Sequence, residues 1–260
     1  MGRIGDRFAE RKAAGQKGFV AFVTAGDPSL ERTVEIALEL ERAGVDVLEL
    51  GVPWSDPLAD GPVIQRASER SLRGGTNLAG VLGAVRRIRE RSQLPTVLFS
   101  YLNPLLRYGL ESLARDARAA GVDGVLVTDL PPEEAGDWVA LARREDLDTI
   151  FLAAPTSPDG RLQRIAALSR GFVYAISRTG VTGEREALSG DAAPLVARLK
   201  ALTSEPVALG FGISTPEQVR AAAAVADAVV VGSALVRFLE QDPNGHLGAC
   251  VARLRLGLDE

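Results

Sequence analysis

The stretch SLERTVEIALELERAGVDVLELG, residues 29–51, carries the plan of the whole chain. Its first part spaces apolar residues three and four apart and ends on Gly44, the pattern of an amphipathic helix. Its last part, DVLEL from Asp46, is a short β-rich run. The same order of helix end, aspartate and apolar run returns in AGVDGVLVTD from Ala120 and in VADAVVVG from Val225. Outward from these, β-rich runs stand at FVAFVT from Phe19, TVLFSY from Thr96, TIFLA from Thr149, FVYAI from Phe172 and PVALGF from Pro206. With DVLEL, GVLVT from Gly124 and DAVVV from Asp227 that makes eight runs. Helical stretches such as LESLARDARAAG from Leu110 lie between them.

Strand and helix in alternation call for parallel βαβ units, and eight such units call for closure into a single (β/α)8 barrel with a packed interior. An open doubly wound sheet is the alternative. The N-terminal MGRIGDRFAERKAAGQKG reads as an extra helix that carries Phe8 into a core. Long loops follow the second and sixth runs, and in a barrel they lie at the C-terminal mouth, where active sites of this architecture sit. At 260 residues, with no linker or shift of composition, residues 1–260 are expected to form one domain.

Composition narrows the function. Hydrophobic residues at 46% and charged residues at 25% suit a soluble globular protein with an adequate core and argue against disorder. A net charge of -4 without any long run of Lys and Arg gives nucleic acid no track to follow. No segment has the apolar length of a secretory signal or a membrane span, so the cytoplasm is the expected compartment. Cys250 is the only cysteine, which excludes an internal disulfide and any multi-cysteine zinc site. The single histidine, His246, lies far in sequence from every loop of interest, so proton transfer falls to carboxylates, tyrosines or lysines.

In VLELGVPWSDPLADGP, Val47 to Pro62, strand alternation puts Val47 and Glu49 on one face and Leu48 and Leu50 on the other. A carboxylate in a dry barrel mouth loses solvation as an anion, so its pKa should rise toward the range of a proton-transfer catalyst. A structural ion pair with an arginine is the competing role. Asp56 and Asp60 follow in a loop restricted by Pro53, Pro57, Gly61 and Pro62. Either aspartate can divide acid and base roles with Glu49, and either can be a turn former. The residues alone do not choose between them.

Glycines at Gly183, in GFGIS from Gly210 to Ser214 and in VGSAL from Val231 to Leu235 follow the sixth, seventh and eighth runs. There they can free backbone N–H groups beside a helix N-terminus for an anion, Gly232 and Ser233 opening one such helix. None forms a P-loop. Tyr101 and Tyr174 sit at ends of the third and sixth runs, and Phe22, Ile64, Phe99, Leu126, Leu152 and Phe211 can line an apolar pocket or serve as ordinary core.

Six segments together resemble the tryptophan synthase alpha subunit family: FVTAGDPS (22–29), ELGVPWSDPLADGP (49–62), YLNP (101–104), DLPPEEA (129–135), YAISRTGVTG (174–183) and GFGIS (210–214). They span the chain in order. The resemblance implies retro-aldol cleavage of indole-3-glycerol phosphate to indole and glyceraldehyde 3-phosphate, with no metal or cofactor in this subunit. It assigns proton transfer to Glu49 and acceptance of the indole N–H to Asp60. Tyr101 and Tyr174 become substrate neighbours, Gly183, Gly212, Gly232 and Ser233 take the phosphate, and Phe22, Leu126 and Phe211 hold the indole ring. It further implies that Arg178 to Asp191 form a lid in which Thr182 closes onto the carboxylates. The implied partner is a pyridoxal-phosphate beta subunit in an alpha2beta2 complex, met by that lid, the Asp56 loop and the segment Asp129 to Glu134. Trp54, Phe99 and Glu184 depart from the family's usual phenylalanine, methionine and alanine. Two other readings are a different phosphate-binding barrel enzyme, such as an isomerase or indole-glycerol phosphate synthase, and a binding subunit that mainly activates a partner. The aspartate-rich loop and the lack of a strand-end lysine oppose the first; the presence of both carboxylates opposes the second.

Overall fold

The computed structural model describes residues 2–176, 190–210 and 212–259. Nine parallel strands form one sheet among them: β1 (Gly18–Thr24), β2 (Val47–Gly51), β3 (Thr96–Ser100), β4 (Gly124–Val127), β5 (Asp148–Ile150), β6 (Leu152–Ala153), β7 (Val173–Ile176), β8 (Val207–Gly210) and β9 (Ala228–Val231). The order is β5-β4-β3-β2-β1-β9-β8-β7-β6. Its two ends, β5 and β6, are consecutive in the chain and flank Phe151, so the sheet closes on itself and the open doubly wound arrangement is excluded.

All eight expected runs are strands, one of them in two pieces. The run from Thr149 divides at Phe151 because its two halves serve different neighbours: Asp148–Ile150 pairs with β4, and Leu152–Ala153 pairs with β7. Strands that tilt around a barrel are staggered, and here the stagger falls within one run. The Phe151 carbonyl still accepts the Tyr174 N–H at 3.1 Å, so the hydrogen bonding passes across the break.

Strand alternation sorts the apolar residues into two layers. Val20, Val47, Val97, Leu126, Ile150, Phe172 and Val230 fill the barrel interior. Leu48, Leu50, Leu98 and Val125 face outward into the larger cluster beneath the helices. The helix Arg3–Ala13 closes one end of the interior with Ile4 and Phe8, as the N-terminal pattern requires. Phe8 meets Phe172 edge to face, with centroids 5.8 Å apart.

The recurring aspartates have a structural use. Asp46 accepts the Phe19 N–H on a carboxylate oxygen at 2.8 Å while its own N–H donates to the Phe19 carbonyl at 2.8 Å. Asp123 grips Thr96 in the same two ways, and Asp227 grips Val207. Arg11, Arg89 and Lys200 neutralise the three carboxylates in turn. Each aspartate precedes a strand and clasps the beginning of an adjacent one, which sets parallel register at the end of the barrel opposite the mouth. The sequence repeat is therefore a repeat of strand clamps, and the carboxylates left for chemistry are at the other end.

Candidate active site

Glu49 is the third residue of β2, and the register sets it between Phe22 of β1 and Val97 of β3. Its side chain points inward, on the face it shares with the interior Val47, and only 1% of the residue is exposed. Among the described residues its Oε1 has no hydrogen-bond partner. Burial with no compensating cation pushes the carboxyl up to about 8, so at neutral pH it is mostly protonated. The ion-pair role is thereby excluded for Glu49 among the described residues.

The loop after β2 separates the two aspartates that sequence could not rank. Asp56 is exposed and accepts a bond from Ser55 Oγ at 2.6 Å. Asp60 turns inward, 7% exposed, because its N–H donates to the Pro57 carbonyl at 3.0 Å and its carbonyl accepts from Gln65 Nε2 at 2.8 Å. Gly61 and Pro62 then start the helix Pro62–Arg73, with Pro62 in the first turn, where it leaves no N–H unpaired. Tyr101 supports the carboxylate, its hydroxyl donating to Asp60 Oδ2 at 3.1 Å and accepting from the Ala59 N–H at 3.0 Å. Burial raises the Asp60 carboxyl to about 6 against the lowering effect of that Tyr101 bond. The two carboxyls thus hold different protonation states near pH 7.

Glu49, Asp60 and Tyr174 line one cavity of about 580 Å³, its open mouth included. Phe22, Ile64, Phe99 and Leu152 supply apolar wall, with Phe22 and Phe99 edge to face at 5.2 Å. Gly212, Gly232 and Ser233 complete it where β8 and β9 end. Gly212 has φ +82°, a conformation that favours glycine, and Ser233 is the first residue of the helix Ser233–Gln241. The Tyr174 hydroxyl is kept protonated by burial and by the nearby Glu49. Tyr174 is the second residue of β7 rather than its last, and fits because position 210 is glycine: a Cβ there would lie 2.9 Å from both the tyrosine Cζ and Val230 Cβ.

Leu126 is fully buried in the interior layer, in register with the lining residue Phe99, and Tyr101 stands behind Asp60, just past the end of β3. Thr182, Gly183, Phe211, Glu184 and nearly all of the segment Arg178 to Asp191 lie outside the described residues. Trp54 is half-buried in the loop after β2. Ala59, Thr128 and Val230 line the cavity without having been singled out. Thr128 follows β4 and Val230 is in phase in β9, so position at strand ends and alternation were the signals available. Among the described residues no three His, Cys, Asp or Glu side chains converge as a metal-ligand set, and no helix is long and apolar enough to cross a membrane.

A family model described as tryptophan synthase alpha chain matches residues 8–256. A tryptophan synthase alpha chain of Solibacter usitatus is 54% identical, covering 93% of this chain and 91% of its own. One of Geobacter sulfurreducens is 51% identical, covering 100% and 98%. Among solved structures, a Mycobacterium tuberculosis tryptophan synthase superposes with TM-score 0.92 at 41% identity, covering 99% of this chain and 98% of the other. The tryptophan synthase subunit alpha of Legionella pneumophila gives TM-score 0.90 at 35% identity, covering 100% and 99%.

Proposed function

The chain belongs to the tryptophan synthase alpha chain family, and from that premise we propose that Glu49 and Asp60 divide the chemistry of its reaction between them. That reaction is the lyase cleavage of indole-3-glycerol phosphate, one step of tryptophan biosynthesis. For indole to leave, C3 of the ring must gain a proton and the side-chain hydroxyl beside it must lose one. Glu49, neutral at pH 7, donates to C3 and leaves the ring nitrogen bearing positive charge. Asp60, ionised at pH 7, accepts the indole N–H and stabilises that charge. The C3–carbon bond then breaks, its electron pair restoring the aromatic ring, while the hydroxyl oxygen becomes the aldehyde carbonyl and returns its proton to Glu49. The carboxyl ends as it began.

The observation that carries this reading is an unpartnered, fully buried Glu49 oxygen in the same cavity as a carboxyl whose pKa is lower. Tyr174 is the hydroxyl neighbour of Glu49 and the reacting side chain. The phosphate takes the far end, where Gly212, Gly232 and Ser233 meet a helix N-terminus, favourable to an anion through free N–H groups and the helix dipole. Phe22, with Ile64 and Phe99, holds the indole ring. On this reading residues 1–260 work as one barrel domain in the cytoplasm, without a metal or cofactor of their own. Indole passes to a pyridoxal-phosphate beta subunit in an alpha2beta2 complex.

Indole release by Glu49→Gln tests the roles. General acid–base catalysis contributes roughly 100- to 10,000-fold, and the variant should lose at least the lower figure while its affinity for inorganic phosphate stays within about twofold. Near-normal turnover would remove Glu49 from the chemistry.

A further inference from the structure

Two helices that touch each other contribute to the cavity wall. Pro62–Arg73 begins two residues after Asp60, and Ser233–Gln241 begins at the glycine and serine read as phosphate ligands. They touch through a small apolar cluster in which Ala67 is fully buried and Val236 nearly so, with Ile64 and Phe22 beside them. A turn further along, ions join them as well. Arg70 makes a two-pronged bond to Asp27, Nε to Oδ1 at 2.9 Å and Nη2 to Oδ2 at 2.8 Å, and its Nη1 reaches Glu240 at 2.8 Å. Arg66, one turn back on the same face, holds both oxygens of Glu240 at 2.6 and 2.7 Å. Asp27 is 5% exposed and sits in the loop after β1, where Ser71 Oγ also donates to the Ala25 carbonyl at 2.6 Å.

We infer that Arg70 is a positioning residue: it ties the helix behind Asp60, the β1 loop and the helix behind Ser233 into one frame, holding the indole and phosphate subsites at the separation one substrate requires. The inference rests on the site reading above. A rigid pair of subsites binds a linked ligand far better than its fragments, because the second contact is made within the complex. Removing the frame should therefore weaken linked ligands selectively. A plain surface ion pair would affect stability slightly and ligand affinity not at all.

Three probes distinguish the cases: inorganic phosphate, indole, and indole joined to phosphate through a three-carbon chain. In Arg70→Met the phosphate and indole Kd values should stay within about twofold, while the linked probe weakens about tenfold and kcat/KM for cleavage falls in parallel. Glu240→Gln cuts one arm and leaves the Asp27 bond intact, and should give a smaller loss of the same kind even if Arg70→Met folds poorly. Arg70→Lys keeps the charge but not the two-pronged geometry and should recover only part of the affinity. Unchanged affinity for the linked probe in both Arg70→Met and Glu240→Gln, or equal weakening of all three probes, overturns the inference. If the wild-type chain binds the linked probe no better than the fragments, the two-subsite reading itself is wrong and the inference falls with it.

Discussion

Glu49→Gln should change how stability depends on pH, by an amount the site's burial sets. In the folded chain the carboxyl is pushed from its ordinary 4.5 to about 8 by burial alone. Between those values the folded state holds a proton that the unfolded state has released, so rising pH favours unfolding. The loss begins near pH 4.5 and is complete above about pH 8. At about 1.4 kcal/mol per tenfold, the gap sets a ceiling of roughly 5 kcal/mol, of which about 4 kcal/mol develops between pH 5 and pH 9. Glutamine carries no proton equilibrium and removes this slope. An unpartnered amide there costs about 1–3 kcal/mol, but that offset is the same at every pH. Urea unfolding of both proteins at pH 5, 6, 7, 8 and 9, extrapolated linearly to water, gives the comparison. The stability of the variant minus that of the wild type should climb by about 4 kcal/mol across the series. A difference that stays flat to within about 1 kcal/mol would refute the reasoning, since it would mean that Glu49 ionises in the folded state as easily as in water.

Two further outcomes follow from the same pair of carboxyls. The pH profile of kcat/KM should be bell-shaped with a maximum near pH 7, rising as Asp60 ionises near 6 and falling as Glu49 ionises near 8. Asp60→Asn should lower the maximum by roughly 10- to 100-fold and abolish the acid limb; a persisting acid limb would assign that limb to another group. Tyr101→Phe removes the donor that holds the Asp60 carboxyl down, so the acid limb should move to higher pH, with a loss of about tenfold below pH 6 and little loss at pH 8. An unmoved limb would make Tyr101 a substrate contact instead.

Local pattern and its periodicity determined a good deal. Period-two alternation put Glu49 on one face with Val47, and the barrel followed from repeated strand-helix units, because both are properties of consecutive residues. The N-terminal helix was legible for the same reason, as was the apolar wall at Phe22, Ile64, Phe99 and Leu152. What depends on distant residues meeting was not. Asp56 and Asp60 are equivalent in sequence, and they differ because backbone bonds within the loop and the Tyr101 hydroxyl from beyond β3 turn one inward and leave the other in water. The repeated aspartates read as a pattern without a purpose until the fold set each against an adjacent strand. The division of the fifth run at Phe151 has no local signal, since it arises where a staggered sheet meets its own beginning. Leu126 and Leu152 both face the barrel interior, and their depth along its axis depends on strand tilt and register. Sequence determined which residues share a strand face; closure of the barrel decided which face turns inward and which inward residues share a depth, and with that which ones meet at the mouth.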